Sequence, residues 1–142
     1  MITVKEFKDL CTEIVPVIEI DGYVLASTYE QGSNKLKDKA GLRLVGVYPA
    51  YNMEGDSDSL IEKNEMLLYI VVRQKEGGTD EEEIEQYSAT LDAMLRLKKY
   101  LTSNRTGTYC MIFPNIDVSS IQIDPEYNIF GGYLGYSIKF IC

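Results

Sequence analysis

TDEEEIEQYSATLDAMLRLKKYLTSN, residues 79–104, constrains this chain more than any other stretch. Thr79 followed by Glu82 is a capping-box pattern. Asp80–Glu83 place negative charge where a helix begins, and Arg96, Lys98 and Lys99 place positive charge near its end. Both complement the backbone dipole. Ile84, Tyr87, Leu91, Met94, Leu95 and Leu101 recur at steps of three and four, which lays one apolar stripe along the rod. The spacing predicts a helix over 79–103 of about six turns. A stripe of that length demands a surface to cover it.

The rest of the chain supplies strands. VIEIDGYVLAS (17–27) is β-branched around Asp21-Gly22, a hairpin turn or a bulge. LRLVGVYPAYNM (42–53) alternates, with Pro49 marking an edge or bulge. MLLYIVVRQ (66–74) is nearly continuous in apolar residues, as a central strand covered on both faces would be. TYCMIF (108–113), VSSIQIDP (118–125) and GYSIKFIC (135–142) are the closing strands. At the front, Thr3 with Glu6 and the spacing of Val4, Phe7, Leu10, Cys11 and Ile14 predict a short helix over 4–13, stopped before Pro16. TYEQGSNKLKDKAG (28–41) reads as an exposed polar loop. The order predicts an α+β fold: one domain over 1–142, a single mostly antiparallel β-sheet, and two α-helices packed on one face.

With 142 residues the chain has the size of one domain. Roughly two thirds of its unfolded surface is buriable, so neither metal nor disulfide is needed for a core. Cys11, Cys110 and Cys142 are odd in number and widely spaced, which reads as free thiols. No apolar run reaches the length of a membrane span, and MITVKEFKDL lacks the apolar core of a secretory signal. A cytoplasmic location is expected, with no membrane partner.

Histidine is absent. That removes Ser-His-Asp and Cys-His systems, His-ligated metal sites and the commonest general base near neutral pH. A net charge of −8 disfavours nucleic acid as a partner, because that affinity comes from Lys and Arg neutralising phosphates. KLKDK (35–39) clusters lysines, with Asp38 among them.

FGGYLGYSIKF (130–140) has the glycines of a phosphate loop without its context. No helix follows, and G-G-x-x-G is not G-x-G-x-x-G. Gly131, Gly132 and Gly135 are read as permitting a turn or a bend in the last strand. Glu54, Asp56, Asp58 and Glu62 resemble part of a calcium loop, but its sixth-position glycine and twelfth-position Glu do not line up. A solvated turn is the better reading. The acidic run 80–83 is explained by capping and solubility, and Asn115–Val118 and DPEYN (124–128) by turn chemistry. No catalytic, cofactor-binding or metal-binding residue emerges, and an enzyme is not expected.

Tyrosine numbers 11, and tryptophan is absent. Tyr48, Tyr51, Tyr127, Tyr133 and Tyr136 lie in or beside expected turns. A rigid apolar ring with a polar tip suits an interface, and these five are the candidate interface residues.

The order of elements, in about 140 acidic residues, resembles the small tail-terminator and neck-completion proteins of tailed phages and prophages. The closing text IDPEYNIFGGYLGYSIKF also looks like the ending of prophage-type proteins of Bacteroides-like gut bacteria. The resemblance implies a noncatalytic structural protein whose copies form a ring, often of six, where tail meets head. It implies protein partners, self-association or other tail and neck proteins, in the bacterial host cytoplasm or the virion. The alternative from charge alone is an acidic binding module, an immunity protein or inhibitor steered to a basic partner.

Overall fold

A computed structural model describes residues 2–58, 61–103 and 116–142. In chain order the elements are α1 (Val4–Val17), β1 (Gly22–Ala26), α2 (Tyr29–Leu36), β2 (Arg43–Glu54), β3 (Ile61–Arg73), α3 (Asp80–Leu101), β4 (Asp117–Ile129) and β5 (Tyr133–Ile141). The strands form a five-stranded sheet in the order β1-β2-β3-β5-β4. The fold is α+β, with three helices among the described residues. The strand expected over 108–113 lies outside them.

The sheet is mixed rather than mostly antiparallel. β1 runs parallel to β2, in the register Gly22↔Arg43 to Ala26↔Val47, and the other three pairings are antiparallel. Parallel neighbours need a crossover. The stretch 28–41, read above as a loop, supplies it as α2. Thr28 caps that helix by accepting from the Gln31 amide at 3.1 Å, and the Gln31 side chain reaches back to the Ser27 amide at 2.8 Å. Gly32 is required where α2 meets the sheet's far side, because a Cβ there would stand 2.7 Å from the Phe130 ring.

α1 also differs from expectation. It passes through Pro16 to Val17, so the strand read over 17–27 shrinks to β1. A proline in the last turn forfeits only one ladder bond. The turn is closed beyond it by the Ile18 amide donating to the Ile14 carbonyl at 3.0 Å. The start follows the capping box: Glu6 N–H donates to Thr3 Oγ1, and Thr3 N–H to Glu6 Oε2 at 2.7 Å. α3 starts as the sequence dictates, with Thr79 as cap, and Arg96 ties it to α1 through two bonds to the Ile18 carbonyl (3.1 and 2.9 Å).

α1 and α3 roof one face. Phe7, Leu10, Ile14, Met94, Leu97 and Leu101 pack there against Leu44, Leu68, Ile70, Ile138 and Phe140. α2 covers only part of the other face, over Val24, Ala26, Val45, Val71 and Tyr133. β3 is the central strand, as its apolar run predicts. Pro49 coincides with a break in register between Val47 and Ala50, and β2 continues past it. β4 continues through DPEYN, which is therefore strand and not turn. Proline is tolerated because β4 is an edge among the described strands. Its pairing is interrupted twice, between Asp117 and Gln122 and between Glu126 and Ile129.

Burial pushes the Cys11 thiol up from an ordinary 9.0 to about 12, and that of Cys142 to about 11. The folded chain thus keeps these protons at a pH where the unfolded chain has lost them. Their contribution to stability is complete below pH 9.0 and is lost as pH rises toward 12. The urea midpoint is expected to fall between pH 8 and 10.5, and Cys11→Ala to flatten that fall. An equal slope in both proteins would refute the assignment to Cys11.

Candidate functional site

The α3 stripe splits in two. Thr90, Ala93, Met94, Leu97 and Leu101 are buried against the sheet. Ile84 and Leu95 face out, 63% and 47% exposed, and Leu91 is half-buried. At 100° per residue, positions 84, 88, 91 and 95 fall on one line beside the buried one. The apolar surface of α3 is therefore wider than the sheet beneath it covers.

Next to that line lies a cleft of about 290 Å³, lined by Ile84, Tyr87, Ser88 and Leu91 from α3, Pro125 from β4 and Tyr136 from β5. Tyr87 and Tyr136 meet edge to face, centroids 5.9 Å apart at 82°. The Tyr87 hydroxyl donates to the Glu126 carbonyl at 3.0 Å, fixing the helix to the edge strand. Burial raises the Tyr87 phenol above its ordinary range, helped by Glu83 and by the neighbouring Tyr136, Tyr127 and Glu126. The phenol therefore keeps its proton and its role as donor. Rigid aromatic walls with apolar floors suit an inserted apolar side chain.

Of the five candidate tyrosines, the structure places one in this cleft. Tyr136 lines the cleft. Tyr127 is 57% exposed and accepts from Gln74 Nε2 at 2.9 Å. Tyr48 and Tyr51 sit elsewhere: Tyr48 tilts against Phe7 at 6.4 Å, and Tyr51 donates to the Ile2 carbonyl at 2.8 Å. Tyr133 has no surface to offer. It is 2% exposed, and its hydroxyl donates to the Leu36 and Lys39 carbonyls at 2.5 and 2.9 Å, closing the end of α2 onto β5.

A second, smaller hollow of about 170 Å³ lies on the opposite face, where Tyr29, Val47, Leu67, Tyr69 and Phe130 converge. Phe130 stacks on Tyr29 (5.5 Å) and meets the edge of Tyr69 (5.1 Å). Neither α2 nor this aromatic trio is visible without the crossover. Ile84, Leu91 and Leu95 were legible as apolar, but their outward turn was not. The available signal was an apolar set spread over more of α3 than one sheet contact needs.

The acidic run behaves as a helix start. Thr79 Oγ1 accepts from the Glu82 amide at 3.3 Å, and Lys75 pairs with Glu82 and holds its carboxyl below the usual range. In the turn after β2, Asp56 accepts from the Asp58 amide at 3.0 Å. Among the described residues no group of three or more Cys, Asp or Glu side chains is placed to hold a metal ion, and no helix is long and apolar enough to cross a membrane. No protein-family model matches the sequence, and a search of curated proteins gives no significant match.

Proposed function

We propose that the chain is a noncatalytic assembly protein that works through protein–protein contact. Its form would be a ring of copies, in the manner of the tail-terminator and neck-completion proteins whose layout it resembles. The observation that carries this reading is the uncovered apolar line of α3 with the cleft beside it. Exposed Ile84 and half-buried Leu91 line the cleft with two tyrosines and a proline, and exposed Leu95 continues the line along the helix. Aromatic and aliphatic anchors around a shallow pocket, with a charged rim, are the make-up of an interface centre.

Light scattering over a concentration series tests it. The wild-type chain is expected to gain mass with concentration. Ile84→Glu and Leu95→Glu should remain monomeric at concentrations where the parent associates, by about tenfold or more in concentration. Because both side chains are exposed, the unfolding free energy from urea titration should move by about 0.5 kcal/mol or less. A parent that stays monomeric throughout would sink self-assembly.

A second reading rests on a separate observation: residues 80–92 carry six acids (Asp80, Glu81, Glu82, Glu83, Glu85, Asp92) and no Lys or Arg. Such a surface steers a basic protein. Under this reading the monomer is the resting form, and a basic partner binds with strong salt dependence.

A further inference from the structure

Two stretches of this chain carry clustered like charge, one on α3 and one at the end of α2. Residues 80–92 hold six acids and no cation. By helical geometry Glu81, Glu85 and Asp92 lie along the solvent side of the Ile84–Leu91–Leu95 line, and all three are exposed. Residues 35–43 run the other way, with Lys35, Lys37, Lys39 and Arg43 against Asp38. The Lys37 and Lys39 side chains are exposed at the end of α2. An exposed tyrosine, Tyr29, opens the same helix beside the aromatic hollow.

The two regions lie on opposite faces of the sheet. α3 packs with the core that includes Ile138 and Phe140, and α2 with the one that includes Val45 and Val71. The alternation of side chains in β3 and β5 sends those two sets to opposite sides. The acidic and basic regions of a single copy are therefore separated by the sheet. Two copies placed face to back bring them together.

We infer that the occupant of the α3–β4 cleft is a second copy of this chain, seated by its basic α2–β2 corner in a head-to-tail contact. The inference rests on the assembly reading above and specifies its geometry. Isologous pairing through the α3 face would set two rows of acids against each other, which like-charge repulsion opposes. A head-to-tail contact leaves one free face at each end, so it closes into a ring or grows. The resulting association weakens as salt is added.

Charge exchange tests the pairing. Variant one carries Glu81→Lys and Glu85→Lys, and variant two carries Lys37→Glu and Lys39→Glu. Circular dichroism and urea unfolding first establish that each remains folded, as expected for exposed positions. In sedimentation velocity each variant alone should need about tenfold or more concentration to associate, since like charges then face each other. An equimolar mixture should associate as the parent does. So should a chain carrying all four changes, whose net charge is again −8 because the two changes of +2 cancel the two of −2. A parent that associates while neither variant is impaired, or variants that stay apart when mixed, overturns the head-to-tail pairing and leaves assembly standing. A parent that is monomeric at every concentration overturns both.

Discussion

Gly135→Ala is expected to remove about 3–5 kcal/mol of stability, enough to unfold much of the protein at 37 °C. Gly135 lies in β5 between two strands, paired with Val71 of β3 and Glu126 of β4. A Cβ added there would stand 2.0 Å from the Ile70 carbonyl oxygen and 3.0 Å from the Val71 Cα. Both are backbone atoms of the central strand, which has neighbours on each side and cannot step away. Gly132→Ala separates clash from conformation. That residue is also at positive φ (+114°), but nothing lies within 4 Å of its added Cβ. It should lose only about 1–2 kcal/mol, the strain of the backbone angle alone. Urea unfolding of the two variants reads the difference. Equal losses would mean that the approach of β5 to β3 is not what fixes glycine at 135.

Asn64→Leu is expected to lower stability by about 2–4 kcal/mol, although it puts an apolar residue in a buried place. Asn64 is 2% exposed. Its Oδ1 accepts from the Ile2 amide at 3.0 Å, and its Nδ2 donates to the Ala50 carbonyl at 3.3 Å. Its backbone meanwhile exchanges both bonds with Cys142 (2.8 and 3.0 Å). One residue thus gathers both ends of the described chain and the bulged part of β2. Leucine matches the side chain in size but leaves two backbone groups without these partners, and desolvated orphans outweigh the added apolar area. The Ile2 amide should also exchange its hydrogen faster than in the parent, which hydrogen exchange followed by NMR reads directly. An unfolding free energy within about 0.5 kcal/mol of the parent would show that water replaces both bonds at little cost.

The parts of the fold legible in the sequence were those whose signals are local and agree with one another. α3 has a cap, a dipole-matched charge pattern and a stripe, and it was read to within two residues at its end. β3 was legible because an apolar run of strand length admits few other uses. α2 is hard to see in the sequence because Gly32, Ser33 and Asn34 are poor helix formers, and their composition masks the Thr28–Gln31 cap that starts it. The same masking hides the parallel pairing of β1 with β2, since without a helix at 29–36 the two strands have no crossover. DPEYN was misread because proline and asparagine serve turns and edge strands alike, and only the place of β4 in the sheet decides between them.

The same division runs through the candidate interface. Of the tyrosines near the glycine turn, Tyr136 lines the cleft. Tyr133 lies near the same turn, yet its hydroxyl serves the Leu36 and Lys39 carbonyls, 97 and 94 residues away. No local pattern announces a partner at that separation. The outward turn of Ile84, Leu91 and Leu95 depends likewise on how much of α3 the sheet reaches, which is a property of the whole fold.

The last strand of the sheet's order bears on how any assembly of these copies must grow. Along β4, Pro125 has no N–H to lend an incoming backbone. The two breaks in register kink the rim, and Asp124 and Glu126 bring negative charge to either side of the proline. An extended peptide seeking to extend the sheet meets a missing donor, a bent template and repulsion for any acidic newcomer. Fibre-like stacking through this rim is thereby obstructed. Under the assembly proposed above, copies would then meet at this side of the molecule through side chains on the broad faces, where shape and charge set the register.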